Sequence, residues 1–196
     1  MPINAGWGEL LVGAYHRLEN ECEVVSYNNR SEEPGNQMEA DVLAIDNDRE
    51  NGEQYIYVCE VVTHLKGNLY SGSPKDTQRW WMEYSNTDAY HRSLEKLWKK
   101  FIDDHKYVRQ TFPHADRYSF EFWAPVVKGA KTRGPLIKGL DRLSEEFEKE
   151  TDEKLELFIN EKYNTHIGKL RERAKDDESN RGIPAYRFLQ ILEHMG

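Results

Sequence analysis

Residues 55–62 read Tyr-Ile-Tyr-Val-Cys-Glu-Val-Val, a run of aromatic and β-branched side chains that suits a buried strand. One carboxylate, Glu60, interrupts it. Burying an unpaired carboxylate costs on the order of several kcal/mol, so a strand of this kind must also supply a counter-charge. An ion pair with Arg17 or Lys66 is one solution, and a metal ion is the other. Upstream lies a second apolar stretch led by an acid, Asp41-Val42-Leu43-Ala44-Ile45. A polar reversal over 46–54, rich in Asp, Asn and Gly, separates the two and favours a hairpin. Asp41 begins its strand and Glu60 nears the end of its own, so a hairpin makes those ends neighbours. Two converging carboxylates and a backbone carbonyl are the hard oxygen ligands that Mg²⁺ prefers. Taken alone, Asp41 is a solvated acid at a strand start.

The flanking pattern places these strands in a mixed α/β chain. Leu10, Leu11, Ala14, Tyr15 and Leu18 form a helical stripe over 8–18, and 21–28 reads as a short strand. A turn is expected at Pro34-Gly35. Ser73-Pro74-Lys75-Asp76 carries the composition of a helix start, and Tyr90, Leu94, Leu97, Trp98 and Phe101 continue at helical spacing. A fourth strand is expected over 118–127, with Pro125 assigning its end to a sheet edge. Beyond it come a helix over 135–149, a strand at 155–159, a helical stripe from Tyr163 to Ala174, and a last helix over 184–195. The expected architecture is one domain over 1–196, a mixed sheet of about five strands with helices on both faces.

The acids at Asp41 and Glu60, set in this order of elements, resemble the PD-(D/E)xK nuclease superfamily. The resemblance implies a restriction-endonuclease-like core over 8–127: a helix, three antiparallel strands, a second helix and a further strand. Residues 128–196 would be a C-terminal elaboration. Asp41 matches the family's first acid and Glu60 its second. Glu9 resembles the acid often carried by the first helix, and the carbonyl of Val61 would complete the metal shell. The implied activity is Mg²⁺- or Mn²⁺-dependent hydrolysis of a phosphodiester by metal-activated water.

The family's lysine stands two positions after the second acid, and here that residue is Val62. Alternation along the strand makes His64 the nearest polar group on the side of Glu60, and Lys66 follows it. Some superfamily members carry the lysine on the next helix instead, which brings in Lys75 and Gln78. Gln78 also resembles part of a glutamine-tyrosine signature of some exonuclease branches, although Met82 stands where the tyrosine belongs. The competing reading is a nuclease fold without activity, kept as a module that binds nucleic acid or a protein partner.

Charge and composition set the remaining expectations. A balance of 27 Lys+Arg against 35 Asp+Glu, −8 overall, argues against nucleic-acid binding by bulk charge but permits a local basic surface. Lys128, Lys131, Arg133 and Lys138 form such a surface, with no acid between Lys128 and Lys138. The segment 141–161, with nine acids to three bases, is expected to face away from it. The sequence 67–73 lacks the lysine of a phosphate-binding P-loop. Two cysteines without ligand spacing exclude a disulfide framework, and no apolar run spans a bilayer. The expected setting is cytoplasmic, without membrane association. Nucleic acid, DNA above all, is the expected partner, together with a homodimer or a larger nucleic-acid-processing or defence complex.

Overall fold

The computed structural model describes residues 5–30, 39–47 and 51–195. The chain opens with helix α1 (Trp7–Leu18), then strands β1 (Val24–Arg30), β2 (Glu39–Asn47) and β3 (Gln54–Val61). A 3-10 turn (Trp80–Glu83) precedes helix α2 (Asp88–Thr111) and strand β4 (Arg117–Ala124). Helix α3 (Pro135–Thr151), strand β5 (Leu155–Ile159) and helices α4 (Glu161–Asp176) and α5 (Pro184–His194) complete it. The turn expected at Pro34-Gly35 lies outside the described residues.

The five strands form one mixed sheet in the order β1-β2-β3-β4-β5. β1, β2 and β3 pair antiparallel as a meander, whereas β4 and β5 join it parallel to β3. A parallel step needs a crossover, and α2 supplies it, 24 residues long. Strand alternation then divides the core. Leu43, Ile56, Val58, Phe120 and Phe122 point to the face covered by α2 and α3. Val42, Cys59, Trp123 and Phe158 point to the face covered by α1, α4 and α5. Trp123 and Phe158 stack with ring centroids 4.1 Å apart. Gly139 on α3 allows α2 its close approach, since a Cβ there would meet Leu94 at 2.5 Å.

Two local expectations are corrected. β4 is interior, flanked by β3 and β5, rather than at an edge. Pro125 is tolerated because it falls after the strand, where Trp123 and Ala124 accept from Val62 and Asn160 instead. The helix expected to start at Ser73 also does not form. The backbone N–H groups of Lys75 and Asp76 donate to the Glu95 carboxylate on α2, at 2.9 and 3.1 Å, and the Trp81 indole donates to the Asp76 carbonyl. These N–H groups are the ones a Ser73 cap would satisfy, and the Ser73 hydroxyl donates to Asp88 instead, so the segment docks on α2 and regular helix begins only at Asp88. Among the described residues no helix is long and apolar enough to cross a membrane.

Candidate functional site

The ladder between β2 and β3 ends in the pair Val42 and Cys59, which sets Asp41 and Glu60 one step further along the same two strands. Both carboxylates lie on the α2 face, because a single ammonium reaches both. Lys100 on α2 donates to Glu60 Oε2, and its Nζ is 3.8 Å from Asp41 Oδ1. The second Asp41 oxygen accepts the Val61 backbone N–H at 2.7 Å. Glu60 is fully buried, and its Oε1 has no hydrogen-bond partner among the described residues.

Asp104, one turn after Lys100, is also buried and adds a third carboxylate to this region. Burial pushes the Glu60 carboxyl well above its ordinary range, with further upward pressure from Asp41 and Asp104 that Lys100 only partly relieves. Burial works against the Lys100 ammonium, yet Glu60 and Asp41 hold its proton more tightly than usual. The two directions agree physically: several carboxylates around one ammonium retain protons on both.

The other residues singled out from sequence fall in different places. Val62 is buried in the α2-side core. Glu9 closes the start of α1 by accepting the Gly6 N–H and also accepts from Asn28 on β1, both at 3.0 Å. His64 and Lys66 are exposed in the turn that follows β3, where His64 Nδ1 lies 3.1 Å from the Asn68 carbonyl. Gln78 is exposed, its N–H donating to Asp76. Lys128, Lys131, Arg133 and Lys138 are exposed after β4, at the sheet end where β3 also terminates. Lys128 donates its N–H to the Gly67 carbonyl, and Arg133 pairs with Asp141. The counter-ion of Glu60 is neither Arg17, which donates to the carbonyls of Cys22 and Glu23, nor Lys66.

A second polar cluster is buried on the opposite face. His16 on α1, Cys59 on β3 and Glu121 on β4 bring ligand atoms within 4.8 Å of one another, so the set could hold a metal. His16 Nε2 is 3.1 Å from Glu121 Oε2, and Cys59 Sγ is 3.3 Å from the same imidazole nitrogen. Glu121 also accepts from the Trp123 indole at 2.7 Å and from Ser119 at 3.2 Å, while Asn20 meets His16 Nδ1 at 3.0 Å. Burial opposes ionisation of Glu121, but His16, Trp123 and Ser119 together hold its carboxyl below the ordinary range. Each of these side chains has a partner within the protein, so the cluster is complete as a hydrogen-bonded network.

Lys100, Asp104, His16 and Glu121 are the polar residues that sequence reasoning passed over. Two of them carried a signal. Asp104 occupies the stripe Leu94, Leu97, Phe101, Val108 where an apolar residue belongs, and Glu121 stands between Phe120 and Phe122 as Glu60 stands between Cys59 and Val61. Comparison with known families, with curated proteins and with solved structures finds no match.

Proposed function

We propose that this chain is a metal-dependent phosphodiester hydrolase acting on nucleic acid, built on a restriction-endonuclease-like core. The observation that carries the reading is the convergence of Asp41, Glu60 and Lys100 on one face of the sheet. The element order supports it: one helix, three antiparallel strands, a second helix and a further strand. Lys100 then stands for the lysine that Val62 replaces, delivered from the second helix rather than from β3. The donor set fits a hard cation, since Glu60 retains a buried oxygen without a partner and Asp41 directs Oδ1 toward the same ammonium.

In this reading Asp41 and Glu60, with the Val61 carbonyl, would hold Mg²⁺ or Mn²⁺. The chemistry such an ion supplies is acidification of water and neutralisation of charge at a phosphoryl group. The chain's own contribution is Lys100. Its ammonium is fixed between two carboxylates, so it can orient an attacking water or neutralise charge that develops on the phosphorus oxygens. The apolar floor beneath the pair, Val58, Val62 and Phe122, limits water on that side and strengthens each electrostatic contact.

The deciding experiment is a cleavage assay on plasmid, single-stranded DNA and RNA with Mg²⁺ or Mn²⁺, beside Asp41→Ala, Glu60→Gln and Lys100→Ala. Metal-dependent cutting that all three substitutions abolish supports the enzyme, and cutting that survives Glu60→Gln refutes the site. The second reading, a nuclease-like module without activity, draws on Lys100 as well, because its ammonium already neutralises the carboxylate pair. Binding without cutting on every substrate selects it.

A further inference from the structure

Four cations of the α2 region converge on Lys100 without taking part in its contact with Glu60. Arg92 and Lys96 share the helix face of Lys100 at spacings of eight and four, Lys99 flanks it on the same pocket, and Lys75 approaches from the docked segment before the 3-10 turn. Together they line an open pocket of about 190 Å³. Asp103 and Asp104 line it as well. The pocket thus carries both signs: the cations of Lys75, Arg92, Lys96, Lys99 and Lys100, and two carboxylates, of which Asp104 also bears on Glu60.

Its construction is organised by one buried carboxylate. Glu95 accepts the backbone N–H groups of Lys75 and Asp76 and also binds Arg92 and Lys99, each at 2.8 Å. That carboxylate neutralises part of the charge and fixes where the remainder sits. Lys96 Nζ stands 4.1 Å from the centroid of the Tyr70 ring, which holds its stem without cancelling its charge.

We infer that this pocket binds a backbone phosphate of the strand being cut, next to the phosphate held at Asp41 and Glu60. The inference rests on the proposed hydrolase and deepens it. Size favours a phosphate group over a free nucleotide or cofactor, whose pockets run to roughly 300–1,000 Å³ and are mostly apolar. Position favours it too, because a strand entering past Lys96 and Lys99 meets Lys100 and then the carboxylate pair. The basic loop over 128–138 follows β4 at the same end of the sheet, but its Arg133 is engaged by Asp141 and its cations do not line this pocket.

The test measures binding of labelled single- and double-stranded DNA in EDTA over a salt series, using the full chain. Loss of a lysine that faces a phosphate lowers the slope of log K against log salt by about 0.7 on single strands and about 0.9 on duplex. Lys96→Gln with Lys99→Gln is expected to lower the slope by one such increment, because both face the same phosphate, and Lys75→Gln, whose side chain is exposed, by at most that much. Lys131→Gln with Lys138→Gln is expected to leave most of the slope intact. The inference is overturned if the α2 variants keep the wild-type slope, or if the wild type binds neither DNA. Metal-dependent cutting by an α2 variant of unchanged slope removes this pocket and leaves the hydrolase standing. A reduced slope without cutting by any form leaves the pocket and removes the hydrolase.

Discussion

Lys100 of α2 donates a hydrogen bond to Glu60 of β3, forty positions earlier in the chain, and closes the only charged gap in an otherwise apolar strand. The pair joins the crossover helix to the sheet at the point where β2 and β3 bring their carboxylates together.

Replacing that ammonium leaves Glu60 buried beside Asp41 without its cation. Lys100→Met is expected to lower stability by about 3–5 kcal/mol near neutral pH, the range for removing one partner of a buried pair. Urea unfolding should show a lower midpoint with an unchanged m-value. Adding Glu60→Leu to the same variant should recover most of the loss, because the uncompensated charge disappears with it.

Glu60 binds its proton more tightly in the folded chain than in the unfolded one. Its contribution to stability is therefore fully present below the ordinary carboxyl value of 4.5 and is lost as pH rises through the elevated folded value. A metal needs the deprotonated form, so cleavage should rise across the same window. Thermal unfolding in EDTA and cleavage rate in Mg²⁺ should move in opposite directions over a pH series, and Glu60→Gln should flatten the first curve.

Glu95 titrates on the acid side. Burial opposes its ionisation, but hydrogen bonds from Lys99, Arg92 and the backbone of Lys75 and Asp76 hold its carboxyl down at about 2. Its contribution is present above 4.5 and is lost as pH falls through about 2. Glu95→Ala should free the segment from Lys75 to Trp81, cost about 3 kcal/mol from several lost hydrogen bonds to a charged group, and raise the midpoint of acid unfolding. Tryptophan fluorescence reports it, since Trp81 is anchored to Asp76 in that segment.

His16→Ala tests the network on the opposite face. It removes the imidazole partner of Glu121 and opens a cavity beneath Tyr57 and Trp123, so a loss of about 3 kcal/mol is expected. Because Glu121 is held below 4.5 in the fold, the loss should be largest at neutral pH and shrink in acid. Chemical denaturation at two pH values separates it from a plain cavity effect.

Sequence periodicity located the strands because their buried faces repeat every two residues, and it located Asp41 and Glu60 because both acids flank or break such runs. Lys100 was not legible. A lysine beside Leu97 and Phe101 is ordinary on an amphipathic helix, and only the crossover places it over β3. The docked segment misled for a related reason: Ser73-Pro74-Lys75-Asp76 has the local chemistry of a helix start, but Glu95 captures its N–H groups from a distance that periodicity does not see. His16 was hidden in the same way, since its partners Cys59 and Glu121 belong to two strands of the sheet.

The parallel pairing of β3 with β4 also sets an order of events during folding. The β1-β2-β3 meander is built from contacts near in sequence, whereas β4 pairs only after the long α2 connection has closed its loop. The helix that buries Glu60 also carries its ammonium, so dehydration and compensation of the carboxylate are expected to coincide on folding.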